Sequence, residues 1–200
     1  MAVLEILPIG VVEELCLSYL RDRLGELFGE VVLSPPAEVP LKLNSRGQVL
    51  ADHLLDSLSN YQCRADRVLA VINRDITVPG VDYIFGLAAL GGRWAVISPV
   101  RLREAYYGRE CDTGLFLERI LKEALHELGH TLGMVHCSNE ECNMKFSSTV
   151  EEIDRRSLLF CESCLGRVCS PRTEIAYATN GDGRRHIVRA LLDRLRLISR

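Results

Sequence analysis

The stretch His126 to Cys137 reads H-E-L-G-H-T-L-G-M-V-H-C and gathers groups that can hold a metal ion and move a proton. Residues four apart on a helix project from one face, so His126 and His130 can offer two imidazole nitrogens to one ion at about 2 Å. Glu127 lies about 100° further round the helix. That places it beside the ion rather than on it, suited to take a proton from a water there. Gly133 falls where a helix can end in the left-handed conformation that glycine adopts without strain, and such a turn brings His136 back as a third ligand. Three protein ligands leave a fourth position open, the mark of a catalytic rather than a structural zinc site.

Cys137 follows His136 directly, and its neighbours in type are Cys142, Cys161 and Cys164. Two local pairs of thiolates are enough for a closed tetrahedral zinc site. Consecutive residues of an extended segment point to opposite sides, so His136 can face one metal while Cys137 faces the other. On that arrangement the second zinc anchors the loop that carries the third histidine. Between the pairs, S-S-T-V-E-E-I-D-R-R-S-L-L-F offers Ser148 or Thr149 as a cap with Glu151 or Glu152 behind it, and reads as a helix. Two other arrangements stay open: disulfides among these cysteines in an oxidising setting, or one mixed site in which His136 joins three cysteines. Cys169 offers a substitute ligand for the zinc site. Cys16, Cys63 and Cys111 are expected to be buried apolar residues.

The pattern HExxHxxGxxH is the extended zincin signature of the metzincins. Together with Cys137, Cys142-Asn143-Met144 and Cys161-Glu162-Ser163-Cys164, it resembles the archaemetzincins, with Leu132 as the apolar residue that packs the helix end. The resemblance covers most of the chain and stops at about Pro171. It implies a zinc metallopeptidase with two Zn2+ per chain, a catalytic one on His126, His130 and His136 and a structural one on Cys137, Cys142, Cys161 and Cys164. Glu127 is then the general base for hydrolysis of a peptide or protein substrate. It also implies that Met144 packs beneath the catalytic metal without binding it, where the residue alone reads as a core methionine. An antiparallel edge strand, matched here by Tyr83 to Leu90, would bind substrate by strand addition.

The elements that must position these groups follow an α/β plan. Val3 to Ile9 reads as a buried strand, Val12 to Phe28 as a helix closed by Gly29, with Leu15, Tyr19, Leu20, Leu24 and Leu27 at helical spacing, and Val31 to Leu33 as a strand. Pro35, Pro36, Pro40 and Gly47 break the next stretch. Val49 to Leu58 reads as a second helix, and R-V-L-A-V-I-N-R-D-I as a strand buried on both faces. Tyr83 to Leu90 and Arg93 to Ser98 flank Gly91-Gly92 as a hairpin. Asp112 or Thr113 caps the long helix that carries the histidines, with Leu121, Leu125, Leu128 and Leu132 as its core stripe. Glu118 with Lys122, and Arg119 with Glu123, are expected to be exposed supporting pairs. The expected fold is therefore a metzincin-like α/β (α+β) domain over residues 1–170. It holds a mixed, mostly parallel twisted sheet, an antiparallel edge strand, the active-site helix and a zinc-stapled C-terminal part. Residues 171–200 form an extension with a strand-like run and an amphipathic helix.

Two hundred residues, 48% hydrophobic and 26% charged, suit a globular chain with a full core. A formal charge of −3 and a pI near 6.0 give no basic field, which argues against nucleic acid or an anionic membrane as partner. The first residues lack a Lys/Arg-rich signal opening, and no apolar run approaches the roughly 20 residues of a membrane span, so a cytoplasmic protein is expected, with a monomer favoured. His53 and His186 read as exposed or satisfied histidines. Tyr106 and Tyr107 precede the long helix and could line the cleft or stabilise an oxyanion. The competing functions are a weakly active or inactive zinc-stabilised peptide-binding protein and a hydrolase of non-peptide amides.

Overall fold

The computed structural model describes residues 3–168. Strand β1 (Val3–Ile9) leads into helix α1 (Glu14–Phe28) and strand β2 (Glu30–Leu33). A loop then reaches β3 (Val49–Leu50), α2 (Ala51–Ser59), β4 (Arg67–Ile72) and β5 (Ile76–Thr77). The hairpin β6 (Gly86–Ala88) and β7 (Trp94–Ile97) is followed by two short 3-10 turns and the long helix α3 (Thr113–Thr131). Helices α4 (Val150–Arg155) and α5 (Glu162–Val168) come last. The expected strand-like run and amphipathic helix of residues 171–200, with Cys169 and His186, lie outside the described residues.

The main sheet has the order β2-β1-β4-β7-β6. β1, β2, β4 and β7 run parallel, and only β6 runs against its neighbour. Parallel strands need both faces covered, and the side chains alternate accordingly. Leu4, Ile6, Leu69, Val71, Ala95 and Ile97 pack towards α1 and α3, whereas Leu7, Ile9, Val68, Ala70, Ile72 and Val96 pack towards α2. The result is a three-layer α/β domain with the mixed sheet and antiparallel edge expected from the sequence. Among the described residues no helix is long and apolar enough to cross a membrane.

Several expectations need correction. The strand expected over R-V-L-A-V-I-N-R-D-I ends at Ile72, because the backbone beyond it is diverted by side chains. Ser98 Oγ donates to Arg74 O, Arg101 donates twice to the Asp75 carboxylate, and Val49 N donates to Asp75 O. Ile76 and Thr77 then pair with Val49 and Leu50 in a separate two-stranded sheet. On α1, Leu15 is exposed, and Cys16 and Leu17 are buried with Leu20 and Leu24. Of the three scattered cysteines, Cys16 is buried, Cys63 is half-buried and Cys111 is exposed.

Of the two expected pairs on α3, Glu118 with Lys122 forms with Glu118 exposed, whereas Arg119 and Glu123 do not pair with each other. Arg119, Lys122 and Glu123 are all buried. Arg119 binds Asp154 and Glu104, Glu123 binds Arg156, and Lys122 donates to Asp154 O while keeping its expected partner Glu118. An exposed i,i+4 pair contributes about 0.3–0.5 kcal/mol, whereas each fully buried Leu or Ile contributes about 1.5–3 kcal/mol. Packing therefore decides which side of α3 is covered. Once α4 lies against it, the charges there must find buried partners.

Candidate metal centre

Asp112 Oδ1 accepts from Leu115 N and opens α3, whose last turns carry His126, Glu127 and His130. The helix ends at Gly133, where φ is 88°. Gly133 N donates to His130 O and Met134 N to Gly129 O, which closes the orphan carbonyls and turns the chain back. His136 follows on that return, exposed and packed edge-on to Phe146.

Two carbonyls fix the imidazoles. His126 Nδ1 lies 2.7 Å from Asn143 O, and His130 Nδ1 lies 2.7 Å from Met134 O. Lone pair facing lone pair at that distance would repel, so each Nδ1 carries the proton and each Nε2 is left as a free donor to a metal. The two Nε2 atoms face one another at 3.1 Å. Nitrogens bound tetrahedrally at about 2.0–2.1 Å lie roughly 3.4 Å apart, so a small divalent cation fits between these atoms. His126, His130 and His136 together bring their ligand nitrogens within 4.8 Å of one another.

The electrostatics agree with the geometry. Burial, then the nearby Arg156 charge, holds His126 well below the usual histidine range. Burial also lowers His130 and His136, which favours the neutral rings that metal ligands must be. Glu127 is buried, and its Oε2 has no hydrogen-bond partner. Burial, and next the adjacent Glu123, push its carboxyl well above the usual carboxylate range. A positive ion at the histidines would oppose that shift.

A cavity of about 730 Å³ opens beside these groups, walled by β6 on one side and by His126, Glu127 and His130 on the other. β6 approaches α3 so closely that a Cβ at Gly86 would stand 2.6 Å from Glu127 Cγ. Of the small residues in G-L-A-A-L-G-G, Gly86 is thus the one that contact with Glu127 requires. Gly91 N at the hairpin turn donates to His130 O, which docks the edge of the sheet onto the helix end.

The four cysteines form a second group, with their sulfurs also within 4.8 Å of one another. Cys137 Sγ and Cys161 Sγ are 3.7 Å apart, and Cys142 Sγ and Cys164 Sγ are 3.8 Å apart. Sulfurs bound tetrahedrally to zinc at about 2.3 Å lie roughly 3.8 Å apart, whereas a disulfide needs about 2.05 Å. All four are free thiols, so the disulfide arrangement is not the one formed. His136 stands with the other histidines rather than in a mixed site. Burial raises the Cys164 and Cys142 thiols. Against its own burial, hydrogen bonds from the Cys164 backbone and the neighbouring thiols bring Cys161 down to about 7. Such a cluster resists a second thiolate unless a cation shares the charge.

Met144 is fully buried, and its Sδ lies 2.5 Å from where a Cβ at Gly129 would stand. It fills the space under the helix between the two histidines. Cys137 N donates to Met144 O, joining that turn to the strand-like segment after His136. Thr149 caps α4, and its capping box with Glu152 is present as the sequence suggested.

Arg156 leaves no sign in the sequence, which places Glu123 in an exposed pair, Asn143 in the cysteine motif and Tyr83 in the edge strand without showing what their side chains hold. Arg156 and Glu123 form a buried pair at 2.8 Å, and Tyr83 Oη donates to Ser148 O at 2.6 Å, tying the approach to β6 to the cysteine loop. The only signal for Glu123 was its place one turn before Glu127. Tyr106 and Tyr107, by contrast, do not wall the cavity. Tyr107 Oη donates to Arg101 O, and the Arg101 guanidinium sits over Tyr83 and Tyr106. His53 pairs with Lys42 away from both clusters.

Known proteins resemble this chain closely. Residues 27–169 match the model of peptidase family M54. The archaemetzincin of Methanocaldococcus jannaschii is 36% identical over 80% of this chain and 89% of its own. The crystal structure of the archaemetzincin of Methanopyrus kandleri superposes with a TM-score of 0.73 at 36% identity, over 84% of this chain and 93% of that one. A zinc-dependent peptidase from Methanocorpusculum labreanum superposes with a TM-score of 0.69 at 25% identity, over 82% and 99%.

Proposed function

Since the chain belongs to peptidase family M54, the archaemetzincins, we infer that it hydrolyses peptide bonds at a zinc ion held by His126, His130 and His136, with Glu127 as general base. The observation that carries this reading is the pair of Nε2 atoms facing at 3.1 Å, both left free by carbonyls on Nδ1, beside a buried carboxyl that opens on the same cavity. Zinc bound there supplies polarisation of the scissile carbonyl and acidification of a water. The Glu127 carboxylate would take a proton from the attacking water and later pass it to the leaving amine. The exposed edge of β6 offers its backbone to an extended peptide, which sets the scissile bond over the helix. Gly86, without a side chain, leaves Glu127 the room to work.

The walls indicate the substrate. Val81, Leu90, Val135 and Phe146 line the cavity and are 46%, 60%, 45% and 58% exposed, an apolar surface that a soluble chain keeps for contact. Peptides with apolar side chains beside the scissile bond fit it best.

Cys137, Cys142, Cys161 and Cys164 hold a second, structural zinc in this reading and so fix the loop bearing His136. Metal analysis tests both sites together. The wild type is expected to carry two zincs per chain, and the double variant His126→Ala/His130→Ala one. A wild type with a single zinc, or a double variant that keeps two, would sink the assignment.

A further inference from the structure

We propose that Arg156 is a positioning residue for the metal centre, holding the carbonyl that orients His126. This inference rests on the zinc reading given above. Arg156 sits just after α4, in the segment between the two cysteine pairs, and is 2% exposed. Its Nη1 donates to Asn143 O at 3.2 Å and to Lys145 O at 3.1 Å, and its Nη2 donates to Glu123 Oε2 at 2.8 Å. One guanidinium therefore joins the backbone of the Met144 turn to helix α3. Asn143 O is the acceptor for His126 Nδ1–H, so the carbonyl that fixes this ring is itself fixed by Arg156.

The remaining contact crowds two donors together, a cost that their shared acceptor offsets. Arg156 Nη1 also lies 2.8 Å from His126 Nδ1. With the Nδ1 proton directed at Asn143 O, these are two donors converging on one acceptor. Were Arg156 to donate to Nδ1 instead, Nδ1 would meet Asn143 O lone pair to lone pair at 2.7 Å. The planar fork suits this work, because it presents several donors in fixed directions that a single ammonium cannot reach at once. Glu123 holds the fork from the helix side. Asn143 secures the same turn twice more, through Nδ2 to Lys122 O and N to Leu159 O, so the turn itself survives without Arg156 and only the acceptor carbonyl loosens.

The test compares the zinc-loaded wild type with Arg156→Gln and Arg156→Lys by NMR of the histidine rings and by chelator competition for zinc. In Arg156→Gln the His126 Nδ1 proton is expected to exchange with water at least about tenfold faster. Zinc at the histidine site is expected to bind about 10–100-fold more weakly, the usual effect of losing a group that orients a ligand. Arg156→Lys should fall between the two. A variant that loses thermal stability while keeping the His126 proton and the zinc affinity of the wild type overturns the proposal, since Arg156 would then be only a brace. If Arg156→Gln does not fold, Arg156→Lys carries the test: binding about threefold or more weaker with faster proton exchange supports the proposal, and wild-type values overturn it. Failure of the zinc reading shows itself before any substitution, as a wild-type His126 ring whose signals do not move when zinc is added.

Discussion

Gly86 and Gly129 show how little space surrounds the chemistry. A Cβ at Gly86 would meet the Glu127 side chain at 2.6 Å, so Gly86→Ala is expected to displace the carboxylate and lower kcat on the order of 10²-fold with zinc content unchanged. Steady-state kinetics with metal analysis on the same samples checks it, and undiminished kcat would place Glu127 outside the reaction. At Gly129 the neighbour is the buried Met144 Sδ, and Gly129→Ala overfills a closed space. Its expected cost is about 1–3 kcal/mol in denaturant unfolding. The two glycines thus separate a functional contact from a packing contact.

At the scale of elements, α4 is the piece whose local signals and tertiary role can be tested apart. Thr149 accepts from Glu152 N while Glu152 reaches back to the Thr149 backbone, so Thr149→Ala is expected to cost about 1 kcal/mol of stability by denaturation, with zinc still bound. Those signals were legible because a cap, like a helix stripe or an HExxH spacing, is written in residues a few positions apart. The order of the elements and the hairpin at Gly91 could be read for the same reason. What could not be read depends on residues far apart in sequence. Arg119 and Glu123 looked like a surface pair because helical spacing made them neighbours, yet α4, more than thirty residues on, covers that flank and gives them Asp154 and Arg156 instead. The break after Ile72 arose likewise, from Gln48, Ser98 and Arg101 binding Arg74 and Asp75.

For the whole molecule, the two clusters lie on one continuous path. α3 supplies His126, Glu127 and His130; the return after Gly133 supplies His136; the next residue, Cys137, belongs to the cysteine group closed by α5. Chelation that strips the cysteine site is therefore expected to lower the melting temperature and, by freeing the loop, to remove His136 from the first cluster. The decisive experiment is a mass-spectrometric cleavage profile of a diverse peptide mixture, with wild type and Glu127→Gln compared at equal zinc content. Zinc-dependent hydrolysis with Glu127 as base gives cleavage beside apolar residues in the wild type and a loss of about 10²–10⁴-fold or more in the variant. Equal cleavage by both proteins would remove Glu127 from the mechanism, and silence from both with zinc bound would point to a peptide-binding role or a non-peptide amide.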